Sequence, residues 1–238
     1  MKHSITAIVL LATAALSTSS CRRAAGDGPS ITKTYSLSGF NAINSGIDGD
    51  VYYTQDSTYH VEIYGQSNIL DKIETPIENG ELRLQFRKFE RIGWHNKIVV
   101  RISAPNLTGL GVNGSGNVYA NQPVASANMS VKVNGSGNVT MSGYTGTDFT
   151  SQISGSGRVV VNGGKVQTAS TRISGSGDVD IAGMQAESAT VNTSGSGTVH
   201  VWATSTLDIR ISGSGDVYYS GNPIVTTSIS GSGKVRHN

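Results

Sequence analysis

A chain of 238 residues with thirty glycines, 6% aromatic and 14% charged side chains departs from average globular usage, which is about 7% Gly and about 25% charged. Gly at this density argues against long helices, where each one costs roughly 1 kcal/mol relative to Ala. A formal charge of +2 without a basic patch argues against nucleic acid as a partner, because phosphate binding needs clustered cations. The composition predicts an all-β protein.

Residues 1–20 read as a lipoprotein-type signal peptide and stand outside the fold. Lys2 and His3 supply a polar start, Ile5 to Leu16 an apolar stretch too short to span a bilayer, and Ser17 to Ser20 lead to Cys21. As the only cysteine, Cys21 excludes an intrachain disulfide. Its place resembles the lipidated cysteine of bacterial lipoproteins, although Thr18 stands where a Leu is usual and the Leu is Leu16. A chance cysteine behind an ordinary cleavage site is the competing reading. Acyl chains contribute about 0.8 kcal/mol per buried CH2, so two or more would hold the protein at a membrane. That predicts an envelope protein of the outer membrane, on either face. Residues 21–30 are expected to be a linker.

Residues 31–105 form a β-rich N-terminal half. The runs "VEIYG" at 61, "ELRLQF" at 81 and "KIVVRIS" at 97 alternate as strands with one buried face do. "ENGEL" at 78 predicts a turn through Asn79 and Gly80. Asn68 to Ile77 is the one helix-like piece, limited to about two turns by Pro76. The stretch "FRKFERIGWHNK" from Phe86 to Lys97 interleaves aromatic and basic residues. One reading is a long hairpin with Phe86 and Phe89 packed inward. The other is a loop that touches a glycan or an anionic surface with Arg87 and Lys88, Trp94 stacking on sugar.

From residue 106 to 238 the chain repeats. Gly114-Ser115-Gly116, Gly135-Ser136-Gly137, Gly155-Ser156-Gly157, Gly175-Ser176-Gly177, Gly195-Ser196-Gly197, Gly213-Ser214-Gly215 and Gly231-Ser232-Gly233 follow one another at spacings of 21, 20, 20, 20, 18 and 18. A fixed period near twenty residues is the signature of a stacked solenoid. Two residues past each motif stands a valine, from Val118 to Val235; period-two alternation around it makes that column the core. A further glycine at Gly143, Gly163, Gly183 and Gly221 marks a second corner. The prediction is a parallel β-helix of about 18–21 residues per coil with Gly-Ser-Gly corners, right-handed by preference because strict six-residue sides are lacking. "GDVYY" occurs at Gly49 as well as at Gly215, so the first half is expected to begin with a similar rung.

The serine in the motif invites a nucleophile reading, but the hydrolase elbow is Gly-x-Ser-x-Gly before a helix. Seven copies without a paired His point instead to corners, with stacked hydroxyls expected to bond along the column. Calcium-binding repeats place Asp two residues past a glycine with a nine-residue period; here Asp178 and Asp216 come one residue on. No metal, cofactor or catalytic residue is assigned. Parallel stacking would set Arg158 beside Asp178 and Asp216 beside Lys234. It would also bring Asp180, His200 and Tyr218 together on one outer face, the best available cluster for binding or chemistry. Trp202, of outward parity, is either a stacking residue or covered by the first half.

The leader together with "FNAINSGIDGDVYYTQ", "YHVEIYGQSNILDKIETPIENGELRL", "VVRISAPNLTGLGVNGSGNV" and the Gly-Ser-Gly units resembles the auto-transporter adhesin family with the head GIN domain, a bacterial domain of unknown function. The resemblance implies a β-helix, an envelope location and a role in adhesion, and supplies no catalytic residues. A non-catalytic lipoprotein binding a polysaccharide or protein partner is therefore expected. The alternatives are a polysaccharide lyase or hydrolase on a pectate-lyase-like β-helix, which would need Asp180, and a scaffold assembling through open solenoid ends.

Overall fold

A computed structural model describes residues 23–238. Residues 1–20, which the sequence suggests are a signal peptide, and Cys21 lie outside the described residues. The remainder is a β-solenoid of stacked parallel coils. In the coil around residue 155, strand Asp148–Gly155 runs into the Gly-Ser-Gly corner, Arg158–Val161 runs out of it, and a short third side returns at 164–165. Each side pairs in parallel with its counterpart one coil on: Ser151 with Thr171, Val159 with Val179, Thr145 with Lys165.

The alternation of the sequence decides which side chains enter the coil. Successive residues of a strand point to opposite faces, so the valine column is inside. Val100, Val51, Val118, Val139, Val159, Val179, Val199 and Val217 succeed one another rung by rung and are all fully buried; Val235 closes the series, partly buried. At about 4.8 Å per rung this column is about 40 Å long. Phe149, Ile153, Ile173 and Ile209 line the inside of the neighbouring side. The two halves of different sequence character share one continuous core, from Phe40 to Val217.

The corner explains both glycines. Gly155 has φ +128, a conformation side chains rarely adopt, and a Cβ there would overlap the Gly135 carbonyl oxygen. Gly157 is buried, and a Cβ on it would run into the Gly137 carbonyl and the Val133 side chain. The serine does something else. Ser136, Ser156, Ser176, Ser196, Ser214 and Ser232 are exposed, and it is their backbone amides that bridge coils, as in Ser156 N to Gly135 O at 2.9 Å and Ser176 N to Gly155 O at 2.9 Å. The expected column of hydroxyl bonds is therefore replaced by an amide ladder. The hydroxyls stand outside the bend, where water satisfies them.

Changes in coil length are absorbed away from this corner. Ile181 pairs with Val201 and Gln185 with Trp202, so residues 182–184 form a bulge in the longer coil, with Met184 in the core, while 188–195 and 206–213 stay in one-to-one register.

The first half caps one end. The rung Ala42–Ser45 and Asp50–Gln55 does exist, with Val51 opposite Val118, but it is not the outermost. Strands Glu81–Phe86 and Val99–Ala104 form the rung above it, so the chain order of the first rungs is inverted. Beyond them His60–Gln66 pairs antiparallel with Val99–Ala104, and Ser30–Tyr35 antiparallel with His60–Gln66. Asn79 (φ 52) and Gly80 (φ 77) make the expected turn. The helix-like piece shrinks to one turn, Ser67–Leu70, because Ile73 and Glu74 are drawn into antiparallel pairing with Phe86 and Gln85. At the opposite end nothing among the described residues covers the last coil: Ile224 is 76% and Ile229 43% exposed.

Candidate functional site

The side leading out of each corner carries an outward column three residues past the second glycine. By register it reads Arg101, Tyr52, Tyr119, Thr140, Val160, Asp180, His200, Tyr218, Arg236. Tyr52 and Tyr119 stack with centroids 5.2 Å apart, and His200 and Tyr218 at 4.8 Å. The Arg236 guanidinium lies 5.6 Å from the Tyr218 centroid and donates to its hydroxyl at 3.0 Å. Asp180, His200 and Tyr218 are thus brought together as the spacing predicts. One face of Tyr52 is covered by Tyr119 and one face of His200 by Tyr218, while the Tyr52 hydroxyl turns to Asp50 and the Tyr218 hydroxyl to Arg236.

The adjacent outward column holds the charges. Arg158 pairs with Asp178 at 2.8 Å, as expected. Asp216 instead accepts from the Lys234 backbone amide at 2.9 Å, because the strand register places that N–H beneath the carboxylate. A shallow cleft of about 240 Å³ between the columns is lined by Arg158, Asp178, Asp180, Thr198 and His200. Asp180 accepts from its own strand's Ala182 amide at 3.2 Å, and His200 is engaged by Tyr218. Among the described residues no group of three or more His, Cys, Asp or Glu is placed to hold a metal.

Asp50 is the buried member of this face, 4% exposed. Asn117 donates to it at 3.0 Å, Lys97 pairs with it at 2.6 Å and Tyr52 donates at 3.3 Å. Burial pushes its carboxyl up, but the hydrogen bonds from Asn117, Lys97 and Tyr52 and the Lys97 charge outweigh that, leaving the pKa below the ordinary carboxylate value. The same contact raises Lys97. Asn138 in turn donates to Asn117 at 2.8 Å, and a parallel ladder joins Asn134, Asn113 and Asn44 at 2.9 and 2.7 Å.

The basic and aromatic stretch is an insert at the corner itself. Residues 86–98 fill, in the outermost rung, the place that Gly-Ser-Gly takes elsewhere, since Leu84 aligns with Ser45 and Val99 with Asp50. Phe86 packs on the core and sits 6.5 Å from the His95 ring. Phe89 does not pack inward: it is 91% exposed at φ 69, on a turn closed by Glu90 N to Arg87 O at 3.0 Å. Trp94 is 75% exposed. Lys88 lies 5.2 Å over the Phe89 ring, while Arg87 reaches Glu74 at 3.3 Å and the Asp71 carbonyl at 3.2 Å.

Trp202 is half-buried beside Gly221 of the next coil rather than under the first half, because the cap lies several rungs away. A further groove of about 440 Å³ runs along the side that leads into the corner, with Arg172, Asn192, Arg210 and Ser228 in one outward column. Reading three residues back from each first glycine would have found it.

The sequence profile of the family described as "Putative auto-transporter adhesin, head GIN domain" matches residues 39–223. The chain belongs to this family. Among solved structures, one titled a "putative adhesin" from Bacteroides fragilis is 27% identical, with a TM-score of 0.86 over 90% of this chain and 100% of that one. A "putative lipid binding protein" from Parabacteroides distasonis (23% identical, TM-score 0.79, covering 91% and 100% of the two chains) shares the fold. So does a "putative adhesin" from Parabacteroides merdae, 22% identical, with a TM-score of 0.73 over 91% and 99%. No curated protein matches.

Proposed function

We propose that this family member is a non-catalytic envelope lipoprotein, anchored through Cys21, that binds an extended polysaccharide or protein partner along the outward ladder ending in Asp180, His200, Tyr218 and Arg236. The ladder carries the reading. Its core neighbours repeat as valine from rung to rung while the outward residues change between tyrosine, threonine, valine, aspartate, histidine and arginine. A surface of that kind offers hydrogen-bonding edges and charges at a spacing of about 4.8 Å, on a scaffold that does not need to move. With ring faces already stacked, the partner is held by hydrogen bonds and charge rather than by stacking on the rings. The family's adhesin description and the envelope location it suggests agree with this. Among the described residues no helix is long and apolar enough to cross a membrane; the attachment we propose is an acylated Cys21.

The test is binding of residues 22–238 to glycan arrays, envelope polysaccharides and whole cells. The enzyme reading is separated by incubating the same protein with acidic and neutral polysaccharides. Unsaturated or reducing ends that vanish with Asp180→Ala would replace adhesion by turnover.

A further inference from the structure

We infer that the corner insert 86–98 is a membrane-contacting foot, which seats Phe89 and Trp94 in the headgroup layer of an anionic bilayer surface. The inference rests on reading Cys21 as the lipid-bearing residue and adds to it which part of the fold meets the bilayer.

The first described residues do not hang free as a linker would; they run along this insert. Ala24 donates to Arg91 O at 2.7 Å and accepts from Gly93 N at 3.0 Å, and Gly26 donates to Trp94 O at 2.8 Å. Cys21 precedes Ala24 by three residues, which a chain can stretch to at most about 11 Å. An acyl anchor at Cys21 therefore holds the bilayer surface within about 11 Å of Ala24 and close to the insert residues that Ala24 pairs with.

The insert is built to present its tip. Its base is clamped: Lys72 pairs with Glu90 at 2.8 Å, His95 meets Asp48 at 3.1 Å, and Asn96 donates to the Gln66 side chain at 2.8 Å. Held this way, Phe89 and Trp94 are the two large aromatics left most exposed, at 91% and 75%, and they stand out from the surface rather than lining a recess of the kind that encloses a small ligand. Lys88 and Arg91 flank them, exposed. Aromatic rings at headgroup depth with cations beside them are the composition selected at a bilayer interface, and the cations match anionic lipid. On this geometry the capped end of the solenoid faces the membrane and the bare last coil faces away.

The test uses residues 22–238 without acyl chains, the unit that contains the whole core and cap and that the solved relatives match in full length. Trp202→Phe leaves Trp94 as the single tryptophan, excited selectively over the tyrosines. With vesicles of phosphatidylglycerol and phosphatidylethanolamine, the protein is expected to co-float and Trp94 emission to be quenched by lipids brominated near the headgroup. Phe89→Ser/Trp94→Ser should lower partitioning by about tenfold or more, and Lys88→Glu/Arg91→Glu should abolish the preference over phosphatidylcholine vesicles. Equal partitioning of wild type and Phe89→Ser/Trp94→Ser, or Trp94 emission left unquenched by the brominated lipids, would overturn the foot. The mass of Cys21 in protein taken from cell envelopes tests the anchor separately: an unmodified thiol removes the anchor and leaves the vesicle result to judge the foot.

Discussion

The imidazole of His200 lies flat on the phenol of Tyr218, centroids 4.8 Å apart and planes 8° from parallel, because one coil of the solenoid lies between them in sequence and one β-ladder spacing lies between them in space. Stacks of this kind contribute about 0.5–1.5 kcal/mol beyond buried area. His200→Ala and Tyr218→Ala should each lower the unfolding free energy by about that amount, and the double variant by less than the sum of the two. Urea denaturation of the four proteins checks this; full additivity would mean that the rings do not interact.

Geometry and chemistry separate cleanly within one motif. Ser156 is exposed, so Ser156→Ala should change stability by no more than about 0.5 kcal/mol. Gly157→Ala drives a methyl into the Gly137 carbonyl and Val133 and should cost at least about 3 kcal/mol, the range of severe overpacking and strain. Denaturant midpoints of the two variants give the comparison.

Asp50 makes stability depend on pH. Its folded pKa is depressed, so its contribution is fully present above the unfolded carboxylate value of about 4 and is lost as pH falls through the lower folded value. Asp50→Ala should cost about 1–3 kcal/mol at neutral pH, as the loss of hydrogen bonds to a charged group does. The gap from wild type should narrow only below about pH 4. Thermal or urea melts of both proteins between neutral and strongly acidic pH measure it.

Thr193 faces the core between Ile173 and Ile211, and its buried hydroxyl has no hydrogen-bond partner among the described residues. In the adjacent inward column Ser151 and Thr171 bond to each other at 2.9 Å. Thr193→Val removes the uncompensated group and should stabilise by about 1 kcal/mol, whereas Thr171→Val, which strands Ser151, should destabilise by a similar amount. Opposite signs in paired melts are the expected result.

What could be read from the sequence was what repeats. Val179 and Gly175 each recur once per coil, so the core column, the corner and the placement of Asp180, His200 and Tyr218 on successive rungs of one outer face follow from spacing alone. What does not repeat was harder to read. The inverted order of the first rungs depends on strand Val99–Ala104 inserting between Asp50–Gln55 and His60–Gln66, a long-range choice that no local period encodes. Of the two readings of the insert, the hairpin with Phe89 packed inward fails, because a corner insert has no inward face at its tip, where Phe89 is 91% exposed. The serine hydroxyls were assigned bonds that the backbone amides make. Arg172 and Arg210 stand on the outward parity of the strand leading into the corner, where side chains vary from coil to coil and no repeat marks them.

The most direct test of adhesion through the ladder compares the binding of wild-type residues 22–238 with that of His200→Ala/Tyr218→Ala/Arg236→Ala on envelope polysaccharide arrays and whole cells, under conditions where both remain folded. Wild type is predicted to bind and the triple variant to lose affinity by about tenfold or more, the consequence of removing a few interfacial hydrogen bonds and a charge. Equal binding by the two proteins, or no binding by wild type to any polysaccharide or cell surface, would contradict it.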